Sequence, residues 1–272
     1  MFPNTLSLLV DNWPTPLVRL ETESHGGKEV WAKLECYNPF SKSIKDRAVW
    51  GMVLKMLEKR SLTEVVMEAT SGNVGLSLLS ICNILGLKFT AFILSTTPRA
   101  TETLLKTFGA NVIRTNYETI NQEFWREVQE YAESAGAINL NQFENDANFE
   151  IHYNTTAVEI LKQLESIGRK PDYVFAGIGT SGHIVAITKR IRERYGGNVR
   201  VIGVQPARGC SIPGIKRVET KPKWIRCVSV DEVVDVSRAE AIEGTIDLAI
   251  REGICWFELW SSLFSLQEES RY

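Results

Sequence analysis

Short apolar, β-branched runs alternate along this chain with longer segments whose apolar residues recur every three or four positions. The runs are Glu64–Ala69, Lys88–Leu94, Asn111–Arg114, Tyr173–Ala176 and Val199–Val204. The intervening periodicity predicts helices near 46–60, 73–86, 99–109, 121–135, 148–167 and 182–195, with loops at the Gly, Pro and Asn residues between them. Strands that alternate with helices in this way predict a parallel α/β architecture. In such folds ligands bind beyond the carboxyl ends of the strands, so the loops that follow the runs are where chemistry is expected.

Composition narrows the class without changing that picture. The 272 residues are 44% hydrophobic and 24% charged, ordinary for a globular chain with core enough for one large or two smaller domains. A net charge of −2 supplies no global basic field for nucleic acid or an anionic membrane. No stretch is long enough to span a bilayer, and no basic leader precedes the first apolar residues. The five cysteines show neither close pairing nor metal-ligand spacing, so they are read as free thiols in a reducing, cytoplasmic compartment and no metal site is expected.

Three loops and one lysine carry the candidate chemistry. Lys45 stands in Asn38-Pro39-Phe40-Ser41-Lys42-Ser43-Ile44-Lys45-Asp46-Arg47, where a turn-rich segment becomes helical. A positive charge there meets the positive end of the helix dipole and gains nothing from it. The plain reading is a solvated lysine before a helix-starting Asp. The functional reading is an amine that forms a Schiff base with a carbonyl compound, pyridoxal phosphate being the commonest.

The loop Thr70-Ser71-Gly72-Asn73-Val74-Gly75 follows a strand and opens a helix, so its amides and hydroxyls suit a carboxylate, with a simple N-cap as the alternative. The loop Gly177-Ile178-Gly179-Thr180-Ser181-Gly182-His183 is placed likewise and suits a phosphate. Its glycine spacing also matches the dinucleotide fingerprint. That reading needs an acidic residue at the end of the next strand, which here ends Gly203-Val204-Gln205-Pro206, so a single-phosphate cofactor fits better. Gln142, in a polar loop after an apolar segment, is a further donor for a bound carboxylate.

Taken in chain order, with Gln142-Phe143 before the glycine loop, the four motifs resemble the β-family, or fold type II, of pyridoxal phosphate enzymes, in particular its cysteine synthase branch, from about Thr15 to Ile254. The resemblance implies a two-domain α/β architecture, each domain a mostly parallel sheet flanked by helices. Residues 46–150 would form a smaller mobile domain with the carboxylate loop, and 1–45 plus 151–272 a larger one with the phosphate loop. It implies that Lys45 holds pyridoxal 5′-phosphate covalently, that Asn73 bonds its 3′ oxygen, and that Gly179, Thr180, Ser181, Gly182 and His183 cradle its phosphate. Thr70, Ser71 and Gln142 would grip the α-carboxylate of a small amino-acid substrate. The implied reaction is β-replacement through an aminoacrylate: Lys45 removes the Cα proton of a serine derivative, the β-substituent leaves, and sulfide adds to give cysteine. A homodimer is the implied assembly.

The stretch Gln205–Arg217 looks closest to archaeal and phosphoserine-accepting members. Arg208, Lys216 and Arg217 are placed to meet a dianionic leaving group, so O-acetylserine and O-phosphoserine both stay open as substrates. A serine/threonine dehydratase, a cystathionine β-synthase and a catalytically impaired binding or regulatory homologue are the alternatives. Beyond Ile254 the family continues Gly-Leu-Ser-Ser-Gly-Ala, whereas this chain reads Cys255-Trp256-Phe257-Glu258-Leu259-Trp260. Codons for Trp256–Ser262 exist that yield the family motif when read one base later, so the tail is read as a frameshifted product. The pyridine-nitrogen serine would then be missing.

Overall fold

The structure, a computed structural model, describes residues 1–59 and 64–254. The elements in chain order are α1 (Ser7–Val10), β1 (Leu17–Arg19), β2 (Trp31–Lys33), α2 (Lys45–Glu58), β3 (Val65–Thr70), α3 (Asn73–Leu85), β4 (Lys88–Ile93), α4 (Arg99–Thr107) and β5 (Asn111–Arg114). Then come α5 (Gln122–Ser134), β6 (Ile138–Asn139), α6 (Ala147–Ile151), α7 (Ala157–Ser166), β7 (Tyr173–Gly177), α8 (Gly182–Tyr195), β8 (Arg200–Pro206), β9 (Glu232–Val236) and α9 (Arg238–Glu252). The alternation read from the sequence is the alternation in the fold. The helix expected over 148–167 is instead α6 and α7 joined by a turn of π-helix at His152–Thr156. The frameshift reading of the tail concerns residues outside those described.

The described residues form two compact units: Met1–Trp13 with Cys36–Asn148, and Pro14–Glu35 with residues 149–254. The residues 1–13 and 36–45 therefore go with the first unit, and Lys45 lies in the same unit as the Thr70–Gly75 loop. The first unit is built on a parallel sheet in the order β5-β4-β3-β6. Its central strands pair from Val65↔Lys88 to Thr70↔Ile93, and all but the first positions of each are buried, as expected of strands covered on both faces. One face is covered by α2 and α3, whose Val49, Met52, Val53, Leu78, Leu79 and Ile81 form a single core. The other is covered by α5, which buries Phe124, Val128 and Ala132 at helical spacing and starts where the Asn121 side chain accepts from the Phe124 amide at 2.9 Å.

The second unit has a parallel sheet in the order β7-β8-β9 and an antiparallel pair, β1 with β2. Buried Ile184, Val185 and Ile187 set α8 into the cores that Val201 and Val199 help to form. The last strand and helix were not among the elements read from the pattern. In β9 half-buried and exposed positions alternate and only Val236 is buried, so it lacks the dense apolar run of its neighbours. α9 begins with a capping box, Ser237 with Glu240, a legible start signal.

Candidate active site

Lys45 opens α2, and the loop before it is tied to a buried carboxylate. Asp46 accepts the amide of Phe40 at 2.8 Å, the amide of Ser41 at 2.9 Å and the Ser41 hydroxyl. Ser41 in turn contacts the Ser43 hydroxyl at 2.9 Å, which accepts the Lys45 amide at 3.2 Å. Burial raises the Asp46 pKa above the ordinary carboxylate value, while these hydrogen bonds pull it back down. The Ser77 hydroxyl of α3 is near enough to lower it as well, though not in hydrogen-bond geometry, so the first turn of α2 lies beside the second turn of α3. Behind the loop, the Trp13 indole donates to the buried Asn38 side chain at 3.0 Å, and the fully buried Arg47 guanidinium lies 4.4 Å from the Trp13 ring centre. Lys45 itself is half-buried.

The loop after β3 is organised by Thr70. Its buried hydroxyl oxygen accepts the amides of Gly72 at 3.1 Å and Gly75 at 2.9 Å. Gly75 has no room for a side chain, since a Cβ would stand 2.8 Å from Thr70 Cγ2 and 3.1 Å from its Oγ1. Ser71 is exposed at the tip and Asn73 is half-buried at the start of α3. Gln142 is buried, and its side-chain amide donates to the Ala69 carbonyl at 3.2 Å. Thr70, Ser71, Asn73 and Gln142 are thus drawn to the carboxyl end of one strand.

The phosphate-type loop runs from the end of β7 into α8. A Cβ on Gly179 would lie 2.8 Å from the Gly214 carbonyl oxygen, so only glycine fits. Ser181 takes a left-handed backbone, φ 72°, and its side chain is fully buried with a hydroxyl that has no hydrogen-bond partner among the described residues. An orphaned buried hydroxyl costs free energy unless a ligand satisfies it. With the amides at the start of a 14-residue helix, it suits an anion such as a phosphate monoester. Thr180 and Gly182 are buried beside it, and His183 stands in the first turn with its ring edge-on to buried His152, centroids 6.0 Å apart. The residues present therefore fit the phosphate of pyridoxal phosphate.

Arg217 is placed differently. It bonds Asp235 at 2.9 Å, Glu219 at 2.9 Å and the Pro206 carbonyl at 2.6 Å, so two carboxylates already meet its charge. Burial lowers the Lys216 pKa from 10.5 to about 8, and the Lys216 amide donates to the Ile178 carbonyl, joining this segment to the phosphate-type loop. Among the described residues no group of His, Cys, Asp and Glu is arranged to hold a metal, and no helix is long and apolar enough to cross a membrane.

Three contributors escaped the sequence reading. Asp46 looked like a helix-start carboxylate in water and is a buried anchor. Trp13 carried no motif. Glu68 is a buried carboxylate inside an apolar strand, and an acidic residue in the middle of such a run was itself the signal.

Comparison with known proteins identifies the family. A family profile described as "Pyridoxal-phosphate dependent enzyme" matches residues 8–256. Cysteine synthase B of Salmonella typhimurium is 34% identical over 257 residues, covering 92% of this chain and 82% of the relative. N-(2-amino-2-carboxyethyl)-L-glutamate synthase of Cupriavidus metallidurans is 32% identical over 260 residues, covering 88% and 74%. Among solved structures, O-ureido-L-serine synthase superposes with a TM-score of 0.86 at 27% identity, covering 98% of this chain and 87% of that one. With a lysine at a helix start, a cradle that fits a phosphate and a family match over nearly its whole length, the chain belongs to the pyridoxal-phosphate dependent enzymes.

Proposed function

We propose that the chain catalyses a cysteine synthase-like β-replacement, in which the Cβ–O bond of a serine ester breaks and a Cβ–S bond to sulfide forms. The observation that carries the reading is the pair of anion-binding loops. The loop at Ser181 has an unmet hydroxyl for a phosphate, and the loop at Thr70, with Gln142, gathers donors for a carboxylate. The relatedness to cysteine synthase B supports the same class.

In this reading Gly179, Thr180, Ser181, Gly182 and His183 would hold the cofactor phosphate, Asn73 would donate to its 3′ oxygen, and Lys45 would be its amine partner. Pyridoxal phosphate, when bound, supplies the electron sink that makes the Cα–H bond acidic. The Lys45 amine would take the Cα proton, a task that suits a basic amine held on a rigid helix start. Ser71 and the unused N–H of Gln142 bind the α-carboxylate, while Thr70 fixes the loop that presents them. The substrate oxygen leaves as acetate or phosphate and sulfide takes its place. The ion pairs of Arg217 favour O-acetylserine, because a dianionic leaving group would have to compete with Asp235 and Glu219 for that guanidinium.

The purified protein is expected to be yellow with cofactor bound. Borohydride reduction should fix the cofactor mass on the peptide containing Lys45, and Lys45→Ala should abolish both. Cysteine should form from O-acetylserine and sulfide; pyruvate formation without use of sulfide would indicate a dehydratase instead. With O-phosphoserine as substrate, Arg217→Ala should leave the ratio of the two turnover rates unchanged. A colourless preparation that stays colourless with added cofactor would sink the enzyme reading in favour of a silent homologue.

A further inference from the structure

We propose that Glu68 is a positioning residue for substrate binding, its buried carboxylate clamping the Asn141–Gln142 backbone so that Gln142 faces the substrate α-carboxylate. This rests on the proposed binding of an amino-acid carboxylate at Thr70, Ser71 and Gln142. Backbone pairing between β3 and β6 stops at Met67↔Asn139. One residue later the side chain of Glu68 takes over: Oε2 accepts the Asn141 amide at 2.9 Å and Oε1 the Gln142 amide at 3.3 Å. The Asn139 side chain donates to the Met67 carbonyl at 2.8 Å and to Glu68 Oε2 at 3.3 Å, closing the arrangement from the other side.

The turn so held is strained, since Asn141 has a left-handed backbone, φ 49°. A run of amides converging on one anion is the inverse of an anion-binding nest, with the anion built in. Gln142 is then fixed three times: its amide by Glu68, its side chain by the Ala69 carbonyl, and its carbonyl by the Asn148 side chain at 2.9 Å. The consecutive residues Glu68, Ala69 and Thr70 thus organise both donors assigned to the substrate, Gln142 through the first two and the Ser71 loop through the third. Glu68 is only 1% exposed, so the desolvation of its carboxylate is offset by the amides of Asn141 and Gln142 that converge on it, and an apolar residue in its place would strand both amides and release the turn that carries Gln142.

The test compares the unmutated holoenzyme with Glu68→Gln, which has nearly the same shape but sets an N–H donor against an amide donor. Glu68→Asp is the second variant, withdrawing the acceptor by one methylene while keeping its charge. Absorbance titrations use L-serine, which carries the α-carboxylate, and ethanolamine, which lacks it. Both variants should weaken L-serine binding and raise KM for O-acetylserine about 10-fold, the loss of one charge-assisted hydrogen bond. Ethanolamine affinity and kcat should change by less than about 3-fold on the same scale. Hydrogen exchange should quicken at the amides of 141 and 142, with cofactor or without it. Equal losses for L-serine and ethanolamine, or faster exchange at 141–142 with L-serine affinity intact, would overturn the role of Glu68 alone. An unmutated enzyme that binds L-serine no better than ethanolamine would instead overturn the reading of the carboxylate site, and this inference with it.

Discussion

Ser181 bears two local costs in the protein by itself, a left-handed backbone on a residue with a side chain and a buried hydroxyl with no partner among the described residues. Costs of this kind persist where the surroundings enforce them and are recovered when a ligand binds. Ser181→Gly relieves both, so the cofactor-free protein should gain about 1–2 kcal/mol in urea unfolding. Pyridoxal phosphate affinity, followed by fluorescence or absorbance, should fall about 10-fold for the lost hydrogen bond; a variant that binds normally would show that the hydroxyl does not meet the phosphate. Asp46 works in the opposite sense. Asp46→Ala strands the amides of Phe40 and Ser41 away from water, at about 1–3 kcal/mol each, so both stability and the fraction of protein retaining cofactor should drop. The sequence made Lys45 visible through its motif and its misfit with the helix dipole. It could not show what holds Lys45, because the Asp46 carboxylate that ties down the loop is buried only by the fold, beside Ser77 of α3, and nothing in the local sequence marks that burial.

At the scale of elements, α2 to α5 and β3 to β5 of the first unit and β7, α8 and β8 of the second were legible because each has its own period and a turn signal at its end, whereas the short α1 and β6 were not called. α3, for example, stops where Gly86 adopts a left-handed cap. β9 was not legible, since a strand buried at alternate positions with Glu232 and Asp235 within it looks polar until β8 is beside it. The π-helical turn at His152–Thr156 is equally silent in sequence, as it follows from packing against α8 and not from local preference. The loops told more than expected in one respect. Among the described residues four non-glycine positions have left-handed backbone, and three of them, Lys42, Asn141 and Ser181, lie in the lysine loop, the Gln142 turn and the phosphate-type loop. The β3–α3 loop shows how a strand end becomes a binding element: Thr70 uses its hydroxyl to fold the loop back on Gly72 and Gly75. Gly75→Ala drives a methyl into Thr70, and the overpacking should cost about 1–3 kcal/mol. Because the strain falls on the loop that presents Ser71, KM for the amino-acid substrate should rise while the yellow cofactor band stays; loss of the band with an unchanged KM would place the effect elsewhere.

For the molecule as a whole, the two units divide the proposed work, Lys45 and the carboxylate donors in one and the phosphate cradle in the other, and each is arranged around the carboxyl ends of its own parallel strands. A price of this design is that groups buried to shape the sites make stability depend on pH. Burial raises the Glu68 pKa from 4.5 to about 7, against the pull of the amides of Gln142, Asn141 and Leu140. The folded chain therefore binds more protons than the unfolded chain between those two values. Its stability contribution is complete below pH 4.5, declines as pH rises through about 7, and is level above that. Asp46 is shifted in the same direction by the same cause. The half-buried Glu102 is the opposite case: hydrogen bonds from Lys106 and Arg114 lower its pKa to about 2, so its contribution is present above pH 4.5 and is lost on further acidification. Glu68→Gln removes one term and leaves the others, so the difference in unfolding free energy between the two proteins isolates it. Between pH 5 and pH 8 the unmutated protein should lose about 2–3 kcal/mol relative to Glu68→Gln, measured by urea unfolding at fixed ionic strength. A difference that does not vary with pH would mean that the carboxylate keeps its ordinary pKa, solvated or compensated in a way its four hydrogen-bonding neighbours do not provide.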